Sequence, residues 1–372
     1  MRVVHFADTH LGARRLHYTD ERGRNVREQD IFMAFADAVD KILDLKPAVA
    51  VHAGDLFDGY HPSAAAMGVA LDQLDRLRQA GIEVVVIAGN HSTPRSAAFE
   101  HPFAILERFG IHAVYGGPRR LRFGELTVTA VPHGGDEEVL HGWLAAAEPD
   151  ASAKFNLLVA HLGLSGLSRV GTGEPGSLEL SGEILEQSKG FDYVALGHLH
   201  EFDRIRVNAA YAGSLERLSS ADRSKKKVFV EVDLSVAPTA EGFMQAHEIP
   251  VRAQLVLAPV DASATADLTE LICASANASE IEGAIVRLPI RGVSFEAFGA
   301  VNRREVNAAF SQCLHLELDP EFVDRGAGES AAPRPQDLRD FLALRKPQGV
   351  DLDVFLGRAE AYMTRAAEEL GS

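Results

Sequence analysis

Seven candidate metal ligands, Asp8, His10, Asp55, Asn90, His161, His198 and His200, fall in five short segments of this chain: Asp8-Thr9-His10, Gly54-Asp55, Gly89-Asn90-His91, His161 and Gly197-His198-Leu199-His200. Each segment closes an apolar run of strand length. Any one alone is common; five in order are hard to explain as packing, because a motif gains specificity from its context. Imidazole and carboxylate or amide oxygen, with no thiolate in the set, suit borderline divalent ions such as Mn²⁺, Fe²⁺ and Zn²⁺. Asp8 and His10 are two apart at a strand end and share a side, so both reach one ion, and the same spacing joins His198 to His200. Asp55 follows a glycine that permits a sharp turn, and its two oxygens can bridge ions roughly 3.5–4 Å apart. Asn90 adds a neutral oxygen and His161 another imidazole. Seven N/O ligands exceed one tetrahedral site and predict two ions sharing Asp55.

The elements that must position these residues read as an α/β pattern. Val3 to Ala7, Ala48 to Ala53 and Glu83 to Ala88 are strand-like, separated by helical periodicity over Asp30 to Leu45 and Ser63 to Gln79. Further strands are expected at Leu121 to Pro132, Phe155 to Ala160, Tyr193 to Leu196, Arg204 to Ala212 and Val228 to Leu234. Two sheets packed face to face with helices outside would bury such runs on both sides. Ligands then belong at the carboxyl ends of the strands.

A boundary is expected near Ser235 to Ala240, which ends a first domain at residue 238. Beyond it no metal motif recurs. Residues 250–324 read as a small α/β unit: strand Leu255 to Pro259, helix Ala264 to Ala276, strand Ala284 to Ile290, helix Arg303 to Phe310 and strand Leu314 to Leu318. Residues 325–335, rich in Gly, Ala, Ser and Pro, are a linker. Residues 336–372 are helical, with Leu338 to Leu344 as a short piece. Leu352, Phe355, Leu356, Ala359, Met363, Ala366 and Leu370 form an apolar stripe opposite Asp353, Arg358, Glu360, Arg365 and Glu368. That stripe suits a partner-docking helix or one folded back on its own chain.

With 46% apolar and 24% charged residues among 372, the chain has the composition of a globular protein of two or three domains, and no apolar run reaches a membrane span of roughly 18 residues. Met1 leads directly into the first strand, so a cytoplasmic protein without a removable signal is expected. Cys273 and Cys313 are too few for a disulfide framework and read as core thiols. The formal charge of −16 excludes nucleic-acid coating by bulk attraction. It leaves room for a nuclease, since two divalent ions put positive charge where phosphate sits. Local basic clusters at Arg14-Arg15, Arg22/Arg24/Arg27, Arg119-Arg120 with Arg122, and Lys225-Lys226-Lys227 read as solvated surface or DNA contacts, the Arg14 to Arg27 group being the better placed for DNA.

Over about the first 235 residues, Asp-x-His, Gly-Asp, Gly-Asn-His, a lone His and Gly-His-x-His resemble the signature of the calcineurin-like metallophosphoesterases. Within them, Asp8-Thr-His-Leu-Gly12, Gly54-Asp-Leu-Phe-Asp58, Gly197-His-Leu-His200 and Gly213-Ser-Leu-Glu-Arg217 look most like SbcD-type DNA repair nucleases. The resemblance implies a four-layer α-β-β-α sandwich, a small capping domain that shapes DNA access, and C-terminal helices that grip an SbcC-type coiled-coil ABC ATPase. It implies manganese, with Asp8, His10, Asp55 and His200 on one ion and Asp55, Asn90, His161 and His198 on the other. The reaction implied is phosphodiester hydrolysis by a metal-bound water, acting as exonuclease and endonuclease. His91 follows Asn90, so its ring would enter the cleft, and it resembles the family's general acid. Asp58 could hold that ring, or simply cap its loop.

One position departs from the family. Ser92 stands where Asp or Glu commonly follows Gly-Asn-His, and a hydroxyl lacks the charge that raises the basicity of a neighbouring histidine. This leaves a weakly active DNA-end-binding scaffold subunit as an alternative, and self-association as a homodimer stays open. Another phosphodiesterase or a phosphatase is a further alternative, against which Phe57-Asp58-Gly59-Tyr60 replaces the Val-Asp-Arg-Gly of the phosphoprotein phosphatases.

Overall fold

The computed structural model describes residues 1–93, 100–165, 177–184, 190–219, 226–263, 267–276 and 278–323. The expected linker at 325–335 and the helical segment at 336–372 lie outside the described residues.

The apolar runs that carry the ligands alternate between two buried faces. In β1 (Arg2–Phe6), Val4 and Phe6 pack toward helices while Val3 packs toward a second sheet. Val49 and Val51 against Ala50 in β2 (Val49–His52), and Val85 and Ile87 against Val84 and Val86 in β3 (Glu83–Ile87), repeat the division. Burial on both faces is why these strands read as continuous apolar runs. The first sheet has the order β14-β13-β1-β2-β3-β4, with β4 at His112–Val114, β13 at Lys227–Asp233 and β14 at Met244–Ile249. β1 to β4 run parallel, and β13 and β14 continue the sheet antiparallel.

The second sheet has the order β11-β12-β10-β7-β6-β5. Its strands are β5 (Arg119–Phe123), β6 (Leu126–Val131), β7 (Phe155–His161), β10 (Tyr193–Gly197), β11 (Asp203–Arg206) and β12 (Ala209–Tyr211). One buried cluster joins the sheets, pairing Val3, Val49 and Val85 of the first with Val128, Leu157 and Tyr193 of the second. Helices α1 (Val26–Leu45) and α2 (Ala64–Gln79) cover the outer face of the first sheet. Helix α4 (Glu137–Ala145), which follows α3 (Phe103–Arg108), covers the second through Leu140 and Leu144. The result is the four-layer α-β-β-α sandwich.

Helix α1 starts a turn before the expected Asp30 because the Asn25 side chain caps it, accepting from the Glu28 N–H at 3.0 Å. Two expected strands are hairpins: Leu121 to Pro132 divides into β5 and β6 around Gly124, and Arg204 to Ala212 into β11 and β12. The first sheet does not stop at Leu234, so the boundary placed at 238 moves past Ile249. Strand β14 was illegible because it is an edge with mostly exposed or half-exposed side chains, Met-Gln-Ala-His-Glu-Ile.

A third sheet lies in the following residues, with β17 (Ile285–Val293) at its centre. The parallel strands β15 (Gln254–Val256) and β16 (Val260–Asp261) flank β17 on one path, and β18 (His315–Phe322) also pairs with it. It has its own core of Val286, Leu288, Ile290, Ile272, Val306 and Phe310, against which Cys273 and Cys313 pack. The helix expected from Ala264 is described from Leu268 to Ala274, where the Asp267 carboxylate accepts from Thr269 N–H at 2.9 Å and from Glu270 N–H at 3.3 Å. Among the described residues no helix is long and apolar enough to cross a membrane.

Candidate metal centre

Five parallel strands, β1, β2, β3, β7 and β10, end at one seam between the two sheets, and each delivers a candidate ligand there. Pairing continues past the strands: Asp8 N–H donates to Gly54 O at 3.0 Å, His10 N–H to Asp55 O at 3.0 Å and Leu11 N–H to Leu56 O at 2.8 Å. This register sets Asp8 and His10 beside Asp55. The second sheet is stitched on by His198 N–H, which donates to the Asp8 carboxylate at 3.0 and 3.1 Å, and by His161 Nδ1–H, which donates to Ala53 O at 2.8 Å.

The backbone is unusual at these positions. Asp8, His10, Asp55 and His198 all have positive φ, between 50° and 108°, a region non-glycine residues seldom enter. Such strain persists where the surroundings over-determine it and clusters at functional sites. The expectation that Asp8 and His10 lie on an extended end is therefore corrected: β1 stops at Phe6, and a left-handed kink brings the two side chains together. Two glycines keep the seam tight. A Cβ on Gly54 would fall on the His161 ring, and one on Gly197 would fall on the Ala53 carbonyl oxygen.

Two groups of ligand atoms result, Asp8-His10-His200 and Asp55-His161-His198, each with its atoms within 4.8 Å of one another. The split sets His200 beside Asp8 and His10 and His198 beside Asp55 and His161, where spacing alone had put His198 and His200 together. His161 Nε2 lies 2.9 Å from Asn90 Oδ1 and 3.2 Å from Asp55 Oδ2, which draws Asn90 into the second group.

Electrostatics fit a cation. His10 Nε2 and Asp55 Oδ2, both buried, face each other at 3.9 Å; Asp55 Oδ2 is met by His161 Nε2 at 3.2 Å, whereas His10 Nε2 has no hydrogen-bond partner. Two such acceptors facing each other are costly unless something positive sits between them. Burial alone would raise the Asp55 carboxyl, but contact with His161, and the nearby His10 and His91, hold it far below the carboxylate range. Burial pushes Asp8 up to about 7, helped by the neighbouring Asp55 charge and opposed by His161, His10 and the His198 N–H. For His161 burial works downward, yet Asp55, Asp8 and the Ala53 carbonyl raise it to about 9. In the absence of metal, protons occupy ground that divalent ions would take.

His91 sits beside this centre, its ring edge-on to His10 at 4.6 Å and its Nδ1–H donated to the Asp58 carbonyl oxygen at 2.9 Å. A third grouping, His10-Asp55-His91, also has its ligand atoms within 4.8 Å, so proximity alone does not separate His91 from the candidate ligands. Asp58 is placed otherwise than expected. Its backbone holds His91, whereas its carboxylate takes the His10 Nδ1–H at 3.2 Å and the Arg15 guanidinium at 3.2 Å. The side chain therefore orients a candidate ligand, leaving His10 Nε2 free of that contact. Ser92 is fully buried and its Oγ has no hydrogen-bond partner, so no carboxylate substitute acts on His91 from there.

The basic clusters are mostly spoken for. Arg27, read as a DNA-facing candidate, is buried against Asp30 at 2.6 Å and Glu216 at 3.2 Å because the apolar face of α1 carries it inward. Arg24 pairs with Asp20, Arg14 with Glu28, Arg119 with Glu107 and Arg122 with Asp150. Lys227 is not solvated surface: it is 1% exposed, and its Nζ donates to His200 O at 2.7 Å and Ser214 Oγ at 2.8 Å. It braces the ligand loop from behind, and the only sequence hint was its place at the head of the apolar run Val228 to Leu234.

The sequence profile of the calcineurin-like phosphoesterases matches residues 1–202, which include all seven candidate ligands. Among curated proteins the chain is 32% identical over 201 residues to the DNA double-strand break repair protein Mre11 of Sulfurisphaera tokodaii, covering 53% of this chain and 48% of that one. It is 33% identical over 246 residues to the protein of that name from Methanocaldococcus jannaschii, covering 63% of each. Over 239 residues it is 28% identical to that from Methanococcus maripaludis, covering 60% and 59%. The chain thus spans about half to 63% of the length of these relatives.

Proposed function

The chain belongs to the calcineurin-like phosphoesterase family, and from that premise we propose that it is a DNA exonuclease and endonuclease of double-strand-break repair, using two manganese ions. The observation that carries this reading is the pair of ligand groups Asp8-His10-His200 and Asp55-His161-His198, which face each other across His10 Nε2 and Asp55 Oδ2, buried and 3.9 Å apart. The names of the relatives at 28–33% identity support DNA as the substrate.

Asp8, His10 and His200 would hold one ion and Asp55, Asn90, His161 and His198 the other, with Asp55 shared. When bound, the ions supply an activated water and neutralise charge developing on the phosphate. The chain's own residues do the rest. Asp58 fixes the His10 tautomer, and Ala53 O fixes that of His161. His91 Nδ1–H is committed to the Asp58 carbonyl, so the mobile proton of its imidazolium sits on Nε2, which would protonate the leaving sugar oxygen. Residues 250–324 act as a cap over the nuclease domain, and residues 336–372 dock an SbcC-type coiled-coil ABC ATPase in the cytoplasm.

The full chain is tested with Mn²⁺ on linear duplex DNA, a cyclic nucleotide and a phosphopeptide. Cleavage of DNA with little turnover of the phosphopeptide is expected. Preferred turnover of the phosphopeptide or the cyclic nucleotide overturns the DNA reading, and DNA binding without cleavage of any of the three favours the scaffold alternative raised by Ser92.

A further inference from the structure

Ser177 is a residue that neither the motifs nor the proposed mechanism uses, yet its Oγ lies 2.8 Å from His198 Nε2. It is held there by a small piece of structure of its own. Beyond the second sheet, β8 (Gly163–Ser165) and β9 (Glu179–Ser181) form a parallel two-stranded ladder, with Gly163 opposite Glu179 and Leu164 opposite Leu180. Gly163 N–H donates to Leu178 O at 2.9 Å, which fixes the residue after Ser177. Gly163 also walls the imidazole: a Cβ there would sit 3.4 Å from His198 Cδ2. The ring is thus packed on its Cδ2 edge and met by a hydroxyl at Nε2. Its backbone N–H is meanwhile tied to Asp8, and its φ of 108° is strained.

We propose that Ser177 is a positioning residue that makes His198 a ligand through Nδ1. An imidazole has two nitrogens, and a neutral ring offers one lone pair. With Nε2–H given to Ser177 Oγ, the lone pair falls on Nδ1 of a ring grouped with Asp55 and His161. A metal-ligating histidine whose other nitrogen is fixed by a hydrogen bond keeps its tautomer and orientation, and loss of that bond typically costs about 10–100-fold in metal affinity. His10 has Asp58 and His161 has Ala53 O for this purpose. Ser177 does the same for His198, using a neutral hydroxyl where the other two use a carboxylate and a carbonyl. The ladder β8–β9 is then the aiming device for one ligand.

This inference rests on the two-ion reading, and the test separates the two. Mn²⁺ binding to the full chain is titrated by electron paramagnetic resonance of the free ion, for the wild type, Ser177→Ala and Ser177→Thr. Long-range ¹H–¹⁵N spectra of the Zn²⁺-loaded forms report histidine tautomers. The wild type should take up two ions and show His198 as the Nε2–H tautomer. Ser177→Ala should weaken one of the two ions by about 10–100-fold, leave the other unchanged and lose the Nε2–H signature, while Ser177→Thr should stay close to wild type. Unchanged affinity at both sites with an unchanged His198 tautomer in Ser177→Ala overturns the proposal. So does equal weakening of both ions, which would mean general loosening. Fewer than two ions in the wild type would fail the two-ion reading itself. Should Ser177→Ala not fold, the tautomer of His198 in the wild type and in Ser177→Thr still decides: an Nδ1–H tautomer in the loaded protein overturns the assignment.

Discussion

The seam between the two six-stranded sheets and the four-stranded sheet at residues 254–322 are built from similar strands but treat polarity oppositely. At the seam, Asp8, His10, Asp55, His161 and His198 are buried, and four of these five have positive φ. In the third sheet, among the described residues, positive φ occurs only at Gly283 and Gly292, and the sole buried polar side chain is Thr269. One region violates the rules of local consistency and the other keeps them. Buried unsatisfied charge and left-handed backbone are each destabilising, so their concentration at one seam marks where the fold has given up stability for chemistry.

Four substitutions or titrations break or sharpen this contrast. His91→Ala should lower the cleavage rate by about 10²–10⁴-fold, as for removal of a general acid, and leave Mn²⁺ uptake at the wild-type level. Loss of metal instead would make His91 a ligand, as its grouping with His10 and Asp55 permits. Leu288→Ala in the third sheet should cost about 2–5 kcal/mol of that unit's stability, read by urea denaturation, without changing metal uptake, because it removes only buried apolar contacts. Asp58→Ala should weaken the ion at His10 by about 10–100-fold, measured by Mn²⁺ titration, through loss of the Nδ1 partner. A change confined to catalytic rate would return Asp58 to the role of holding His91.

The smallest effect concerns protons. Asp8 at about 7 and His161 at about 9 both lie above their ordinary values, so the metal-free fold binds protons that the unfolded chain has released. Its stability should therefore fall as pH rises, through Asp8 on the way up to about 7 and through His161 from near neutral to about 9. Ions must displace those protons, so Mn²⁺ affinity should rise over the same interval. Calorimetry in two buffers of different ionisation enthalpy should register proton release on binding, and no release would mean that the ligands are already deprotonated.

The sequence made the candidate ligands legible because each follows an apolar run, and a strand buried on both faces announces itself by composition. It did not show which atoms meet across the seam. Spacing put His198 with His200, but the left-handed turn at His198 sends the two rings to different groups. Asp58, three residues after Asp55, was open to holding the His91 ring or capping its loop, and of its atoms the carbonyl meets that ring while the carboxylate meets His10. Lys227 and Arg27 looked like surface charge because a basic run says nothing about which member a sheet or helix turns inward. Ser177 carried no signal at all, since a serine in a Gly-rich stretch acquires its role only from the ladder that aims it. The edge strand β14 was lost for the opposite reason, too few buried side chains.

The central claim is a two-ion centre shared at Asp55, and ion counting tests it directly. Purified protein stripped with chelator is titrated with Mn²⁺ alongside Asp55→Asn and His161→Ala. The account predicts two ions per chain in the wild type, a loss from both positions in Asp55→Asn, and one retained ion in His161→Ala. A wild-type stoichiometry of one that His161→Ala leaves unchanged would contradict it.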